Sequence, residues 1–301
     1  MSSFIDGTDI GDAWVKAYEH LLERPARAAV NLAVSISRPL EEDMGVRAAL
    51  EQTLANWNAT LTRRWLRAHS VHTVANTIFP ISLYRPERPG AAARFFDRAA
   101  RVSELHEGNR TEWGTYIGRL VSYGQSGEER VNQLEQFLRV LGKGNDWKDA
   151  YEAPLTYAGE IAGMAAVTGD MLVIGPGDRR LRGGPCLSHI SLSLVDGALH
   201  LTAQYRRHHY LARAYGNFLG LARLLHFLAQ EGGCQVGGML VIGTHAEIEE
   251  GPSREQLHEL LTTATSERGG PRPIELSARP LGASWNDLEL PEPRTHAASL
   301  R

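Results

Sequence analysis

The chain has 301 residues, with 32 Lys plus Arg against 35 Asp plus Glu, for a formal net charge of −3. That balance excludes an unselective nucleic-acid coat, which needs a strong basic excess. A hydrophobic fraction of 43% with 22% charged residues excludes a disordered chain.

The first six residues, Met1-Ser2-Ser3-Phe4-Ile5-Asp6, lack the basic region and apolar core of a secretory signal. No apolar run is long enough for a spanning helix, so no membrane partner is expected. Two cysteines, Cys186 and Cys234, imply no disulfide framework, and a cytoplasmic setting is expected. Residues 12–23 predict a short helix with Trp14, Tyr18, Leu21 and Leu22 on one side, stopped by Pro25. Val30, Leu32, Val34 and Ile36 alternate with polar or small residues and predict a half-buried strand. Residues 41–68 carry Val46, Leu50, Leu54, Trp57, Leu61 and Trp65 at three- and four-residue steps, the pattern of one long helix. Its tryptophans are read as packing residues. Residues 91–102 and 128–141 predict two more helices, the second ended by Gly142 and Gly144.

The segment 175–249 is the most informative. It opens on a basic loop rich in breakers, 175–185, which matches no phosphate-binding consensus. Ile190, Leu192 and Leu194 then alternate with polar residues up to Asp196-Gly197, a strong two-residue hairpin turn. Leu199, Leu201 and Ala203 resume the alternation, so Leu194 faces Leu199, Leu192 faces Leu201 and Ile190 faces Ala203. A buried helix over 216–230, a core strand over 238–243 and a helix over 252–264 follow. The tail, 266–301, reads as irregular. With no internal repeat and no linker, one α+β domain over 1–301 is expected, a mixed β-sheet backed by helices.

Cys186 stands between a Gly-Gly-Pro breaker and the first hairpin strand. Arg179, Arg180 and Arg182 precede it, and Arg206 and Arg207 lie at the far end of the partner strand. Nearby positive charge favours the thiolate, and a guanidinium fork suits a phosphate. Thiolate plus phosphate clamp is the minimum for covalent catalysis on a phosphorylated substrate. The alternative is a cysteine that is simply a small buried hydrophobe. His208 and His209, adjacent on a strand, point to opposite faces, and His245-Ala246-Glu247 lacks a third partner, so no metal is expected.

Pro185-Cys186, the hairpin 194–199, Arg206 twenty residues after the cysteine, Asn217 eleven residues further, the run 224–230 and Gly243-Thr244-His245 follow one another in a fixed order. In that order and spacing the segment, about a quarter of the chain, resembles thymidylate synthases and the related pyrimidine-nucleotide hydroxymethylases. Residues 131–134 and the stretch 113–119 are similar to family segments more faintly. The resemblance implies a thymidylate synthase-like fold and a homodimer formed through the sheet face. It implies that Cys186 adds to C6 of a pyrimidine nucleotide, which makes C5 a carbon nucleophile toward a one-carbon unit carried by 5,10-methylenetetrahydrofolate. Arg206 would bind the 5′-phosphate, with Arg207 beside it and Arg179 and Arg180 reaching in from the loop. Asn217 would read the base, its amide favouring uracil over cytosine, and His245 would support the base and sugar network. Asn217 also suits a helix N-cap, and His245 a turn.

The departures fall mostly on the folate side. Tyr205 stands for a glutamine, Arg207 for a phosphate-binding serine, His209 for an aspartate that contacts the pterin, and Glu247 for a tyrosine that touches the sugar. The partner-subunit arginines are missing near Gly169, the tail lacks the tyrosine that closes over folate, and only Glu104 and Glu107 offer the early catalytic carboxylate. A catalytically degenerate paralog that binds a nucleotide or a protein is therefore the alternative. The hairpin also poses a geometric conflict. Ideal pairing sets Cys186 opposite Arg207 and puts Cys186 and Arg206 on opposite faces. The resemblance implies a bulge or bend near the strand ends; the alternation alone does not show one.

Overall fold

The computed structural model describes residues 2–62, 67–107, 115–124, 130–142, 151–156 and 186–276. In chain order the elements are β1 (Ser3–Gly7), α1 (Ile10–Leu22), β2 (Ala28–Ile36), β3 (Glu41–Asp43), α2 (Met44–Thr60), α3 (Val71–Ile78), a 3-10 turn (Ile81–Leu83), α4 (Ala91–Glu107), α5 (Tyr116–Val121) and α6 (Gln133–Leu141). They continue with β4 (Glu152–Pro154), β5 (Leu187–Val195), β6 (Ala198–Tyr205), β7 (His208–His209), α7 (Ala214–Gly232), β8 (Gln235–Glu247), α8 (Arg254–Ser266) and β9 (Pro271–Pro273). The main sheet runs β1-β2-β8-β6-β5-β4, with β7 beside β8, and mixes parallel with antiparallel neighbours. The expected mixed sheet backed by helices is therefore present. Among the described residues no helix is long and apolar enough to cross a membrane.

One row across the sheet shows why it has two unlike faces. Ile5, Val34, Val241, Ala203 and Ile190 are successive partners, and the last four are buried or nearly so. The adjacent row, Phe4, Ala33, Ile242, Gln204 and His189, points to the other face. There Phe4 is 65% exposed. Among the described residues the helices lie against the first face, where α1 inserts Trp14 and Tyr18 as a stacked pair 4.8 Å apart.

The hairpin forms with the expected rungs, Leu194–Leu199, Leu192–Leu201 and Ile190–Ala203. Asp196 and Gly197 take φ values of 50° and 78°, the doubly left-handed turn that matches strand twist. Alternation fails at one place in β2. Asn31 has φ 54°, so the pleat reverses there; Ala29 goes inward and Val30 is left 57% exposed. Asparagine tolerates that conformation because its short side chain can bond locally.

Two expectations from periodicity are corrected by contacts far along the chain. The helix expected over 41–68 begins three residues later, because 41–43 pair with β9 in the segment read as irregular tail. The Asp43 carboxylate caps α2 through Gly45 and also accepts from the Gly269 and Gly270 N–H groups. That helix ends at Thr60, where the Asn58 amide exchanges two hydrogen bonds with the Ala68 backbone and turns the chain back. Trp65 lies outside the described residues, and the other expected packing tryptophan, Trp57, borders a cleft of about 240 Å³ between α2 and α8. The helix expected over 128–141 is described only from Gln133, capped by Asn132.

The short helix α3, which the hydrophobic pattern did not suggest, packs on α7 at Gly216 and Gly220. A Cβ at Gly216 would lie 2.6 Å from Val74 Cβ and 2.8 Å from the Val71 carbonyl oxygen. Gly216→Ala is expected to cost about 1–3 kcal/mol through overpacking, read as a lower urea midpoint with an unchanged slope.

Candidate functional site

The site is built on the first residues of β5 and the last of β6. At Leu187 the hairpin slips by one residue: His189 pairs with Gln204, but Leu187 pairs with Tyr205. Ser188 is the extra residue, its hydroxyl bonded to the Gln204 carbonyl at 2.9 Å. The Arg206 N–H then donates to the Cys186 carbonyl at 2.9 Å. Cys186 therefore stands opposite Arg206 rather than Arg207, and the conflict posed by ideal pairing is removed by a bulge.

A strap from Arg206 to Arg213 carries the chain from β6 to α7, and four contacts fix it. His208 and His209 pair with Ala246 and Glu247 of β8. Trp14 Nε1 donates to the Tyr210 carbonyl at 2.9 Å. Glu249 accepts the Leu211 and Ala212 N–H groups at 2.9 and 3.0 Å. The Arg213 N–H reaches back to the His209 carbonyl. Arg213 is the N-cap of α7 and uses no side-chain cap bond, so Asn217 is not the N-cap but sits inside the helix.

Asn217 is 4% exposed, and its Nδ2 lies 3.2 Å from His208 Nε2. His208 is fully enclosed, stacked on Tyr205 at 4.3 Å, and burial drives its pKa down to about 3. A neutral ring with Nε2 as acceptor carries its proton on Nδ1, and that atom has no partner. Tyr205 is fully buried, and its hydroxyl also has no partner. Burial pushes the Tyr205 phenol pKa well up, and Tyr116 and Cys186 add to the rise. Tyr116, from the N-terminus of α5, accepts from the Leu187 N–H at 3.5 Å. Tyr116 and Arg213 are the site residues that sequence reasoning missed. The first lies in the stretch 113–119 that resembles the family; nothing in the sequence marked the second. Arg119, in the same stretch, is structural, its buried guanidinium donating to the Leu155 carbonyl at 2.6 Å.

The remaining expected residues form a second cluster at the same end of the sheet. Glu247 takes Arg207 at 2.6 Å, His209 at 3.1 Å and His245 at 3.1 Å. His245 belongs to β8, opposite Val30, and not to a turn. Arg207 is thus spent on a carboxylate. Arg179, Arg180 and Arg182 lie outside the described residues. Glu104 is exposed on α4. Among the described residues no group of three or more His, Cys, Asp or Glu side chains could hold a metal.

The thiol itself needs a correction. Arg206, Arg213 and Arg207 do pull the Cys186 pKa down, but burial outweighs them and sets it above the ordinary value. Cys186 is half-buried at the margin of the core, and both cysteines are free. The unliganded sulfur is a protonated thiol at neutral pH. No protein-family model and no curated protein matches this chain.

Two pH experiments follow. The rate of Cys186 carboxamidomethylation, resolved by peptide mass spectrometry, should keep climbing past the pH at which an ordinary thiol levels off, because the raised pKa delays ionisation. For His208 the folded pKa lies below the unfolded 6.5, so between pH 6.5 and about 3 the unfolded chain binds the extra proton. Its contribution to stability is complete above that window and falls as pH falls through it. The slope approaches one proton, about 1.4 kcal/mol per pH unit, and should be absent from the difference curve in His208→Gln.

Proposed function

We propose that the chain is a thymidylate synthase-like transferase that modifies C5 of a uracil-type nucleotide, by methylation or hydroxymethylation. The observation that carries this reading is the bulge at Ser188. It puts Cys186 opposite Arg206, the juxtaposition that the resemblance requires and that ideal hairpin pairing forbids. A 5′-phosphate at Arg206 would hold the pyrimidine over the sulfur, and Asn217, with its orientation set by His208, would bond the base edge.

The chemistry follows from the thiol. Once ionised, sulfur forms a bond to C6, and the C5–C6 π electrons move onto C5 and the C4 carbonyl oxygen. C5 can then take a proton or a carbon electrophile. Loss of the original C5 hydrogen and expulsion of the thiolate restore the ring. Because Cys186 starts as a thiol, its proton passes to solvent water before sulfur bonds C6, and the C5 hydrogen later leaves to water as a proton in the same way.

The donor implied by the resemblance is 5,10-methylenetetrahydrofolate, and the described residues do not fit it well. His209, where the family has a pterin-contacting aspartate, is turned to Glu247 at 3.1 Å and Glu249 at 3.8 Å. The same pairing, together with the protonated thiol, favours a second reading, a degenerate paralog that binds a nucleotide without one-carbon transfer. The exposed Phe4, Val30 and Val195 on or beside the uncovered sheet face support a homodimer. Free cysteines suit a cytoplasmic setting.

Tritium release from C5-labelled UMP, dUMP, CMP and dCMP tests the reading directly. Exchange with a uracil nucleotide that disappears in Cys186→Ser is expected, by at least about a thousandfold for loss of a covalent nucleophile. Exchange that persists in Cys186→Ser, or none with any of the four, sinks the transferase. Nucleotide binding by calorimetry without exchange selects the paralog.

A further inference from the structure

The cleft between α2 and α8 shares no lining residue with the Cys186 and Glu247 clusters. Its volume is about 240 Å³, and both helices and the turn before α8 line it. Two close approaches show that the helices run antiparallel. A Cβ at Gly45, at the start of α2, would overlap the Glu267 carbonyl just past the end of α8. A Cβ at Gly251, just before α8, would lie 2.6 Å from Trp57 Nε1 and Cζ2, near the end of α2. Gly251 has φ 144°, a conformation that favours glycine, so bare backbone lies against the indole and holds it in place. The antiparallel order sets Gln52 and Thr53 level with Glu259 and Leu260, and Trp57 level with Pro252.

The level of Gln52 and Thr53 presents acceptors. Gln52 Nε2 donates to Asn56 Oδ1 at 2.9 Å, which leaves the Gln52 carbonyl oxygen to accept. Thr53 Oγ1 donates to the Ala49 carbonyl at 3.0 Å, so it offers the cleft only lone pairs. Among the described residues Glu259 makes no hydrogen bond and no ion pair. The lining contains no Lys, Arg or His. The last turn of α2 carries no basic residue either, so the negative end of the helix dipole beside Trp57 is left unbalanced. Trp57 and Pro252 supply an apolar wall at that end. Thr53 and Trp57 are four residues apart, which puts the wall about 6 Å along the helix axis from the acceptors.

We propose that this cleft binds a small organic ammonium ion, with its N–H groups on Gln52, Thr53 and Glu259 and its apolar body against Trp57 and Pro252. Three acceptors, one of them a carboxylate without a counter-charge, match the donors and the charge of a primary amine. The indole adds a π face that attracts cations and buries methylene groups. A cavity of this size, below the usual range for drug-sized ligands, limits the body to a short alkyl or arylalkyl chain. The proposal does not rest on the transferase reading, because none of these residues takes part in it.

The test uses the full-length protein with its six tryptophans replaced by 5-fluorotryptophan and followed by fluorine NMR. The Trp57 signal is the one lost in Trp57→Phe. Three probes are titrated at neutral pH and low salt: butylammonium, 1-butanol, which has the same chain without the charge, and tetramethylammonium, which has the charge without N–H donors. Butylammonium should move the Trp57 signal saturably and bind at least about fivefold more tightly than either of the others. Glu259→Gln should remove that advantage; its side chain is exposed and bonded to nothing described, so the fold is expected to survive the change. Should Trp57→Phe fail to fold, calorimetry of butylammonium against 1-butanol on the wild type and Glu259→Gln carries the test alone. A Trp57 signal indifferent to butylammonium, equal binding of 1-butanol, equal binding of tetramethylammonium, or a preference that persists in Glu259→Gln overturns the proposal.

Discussion

The hydrogen bond from the Arg206 N–H to the Cys186 carbonyl is the contact on which the site depends. It exists because β5 contains one residue more than ideal pairing with β6 allows. Ser188 absorbs that residue, and the shift of a single position exchanges Arg207 for Arg206 opposite the thiol. Strand periodicity of two makes such a slip decisive, since every residue beyond it changes face. Two guanidinium groups adjacent in sequence therefore acquire different tasks. Arg206 remains beside the sulfur, while Arg207 is neutralised by Glu247.

Burial and charge oppose each other at this sulfur. A half-buried thiol loses the solvation that its anion needs, and three nearby guanidinium groups do not fully replace it. An enzyme of the proposed kind gains from that arrangement, because a thiol that ionises only on assembly of the complex is protected from adventitious oxidation. The same low-dielectric surroundings keep His208 neutral and make the unmatched hydroxyl of Tyr205 costly. Local features that cost free energy thus converge at one end of the sheet.

The sheet and strap explain how residues so far apart in sequence meet. Trp14 from α1 and Glu249 beyond β8 both hold the strap. Arg213 and Asn217 are then delivered on the first turn of a helix whose position is set by glycine-mediated contact with α3.

Much of this was legible in the sequence wherever the determinant was local. The hairpin, its Asp-Gly turn and the apolar faces of α1 and α7 all follow from neighbours a few residues apart, because turn chemistry and side-chain periodicity act over that range, while Cys186, Arg206, Asn217 and His245 were marked by the family resemblance. Tertiary structure decided what depends on residues brought together from distant segments. It started α2 late by pairing 41–43 with 271–273, reversed the β2 pleat at Asn31, and assigned Arg207 to Glu247. It also raised the Cys186 pKa that local charge alone would have lowered. Desolvation, ladder pairing and ion-pair partners are properties of the packed chain, and a linear pattern holds no record of what will lie on the other side of a side chain.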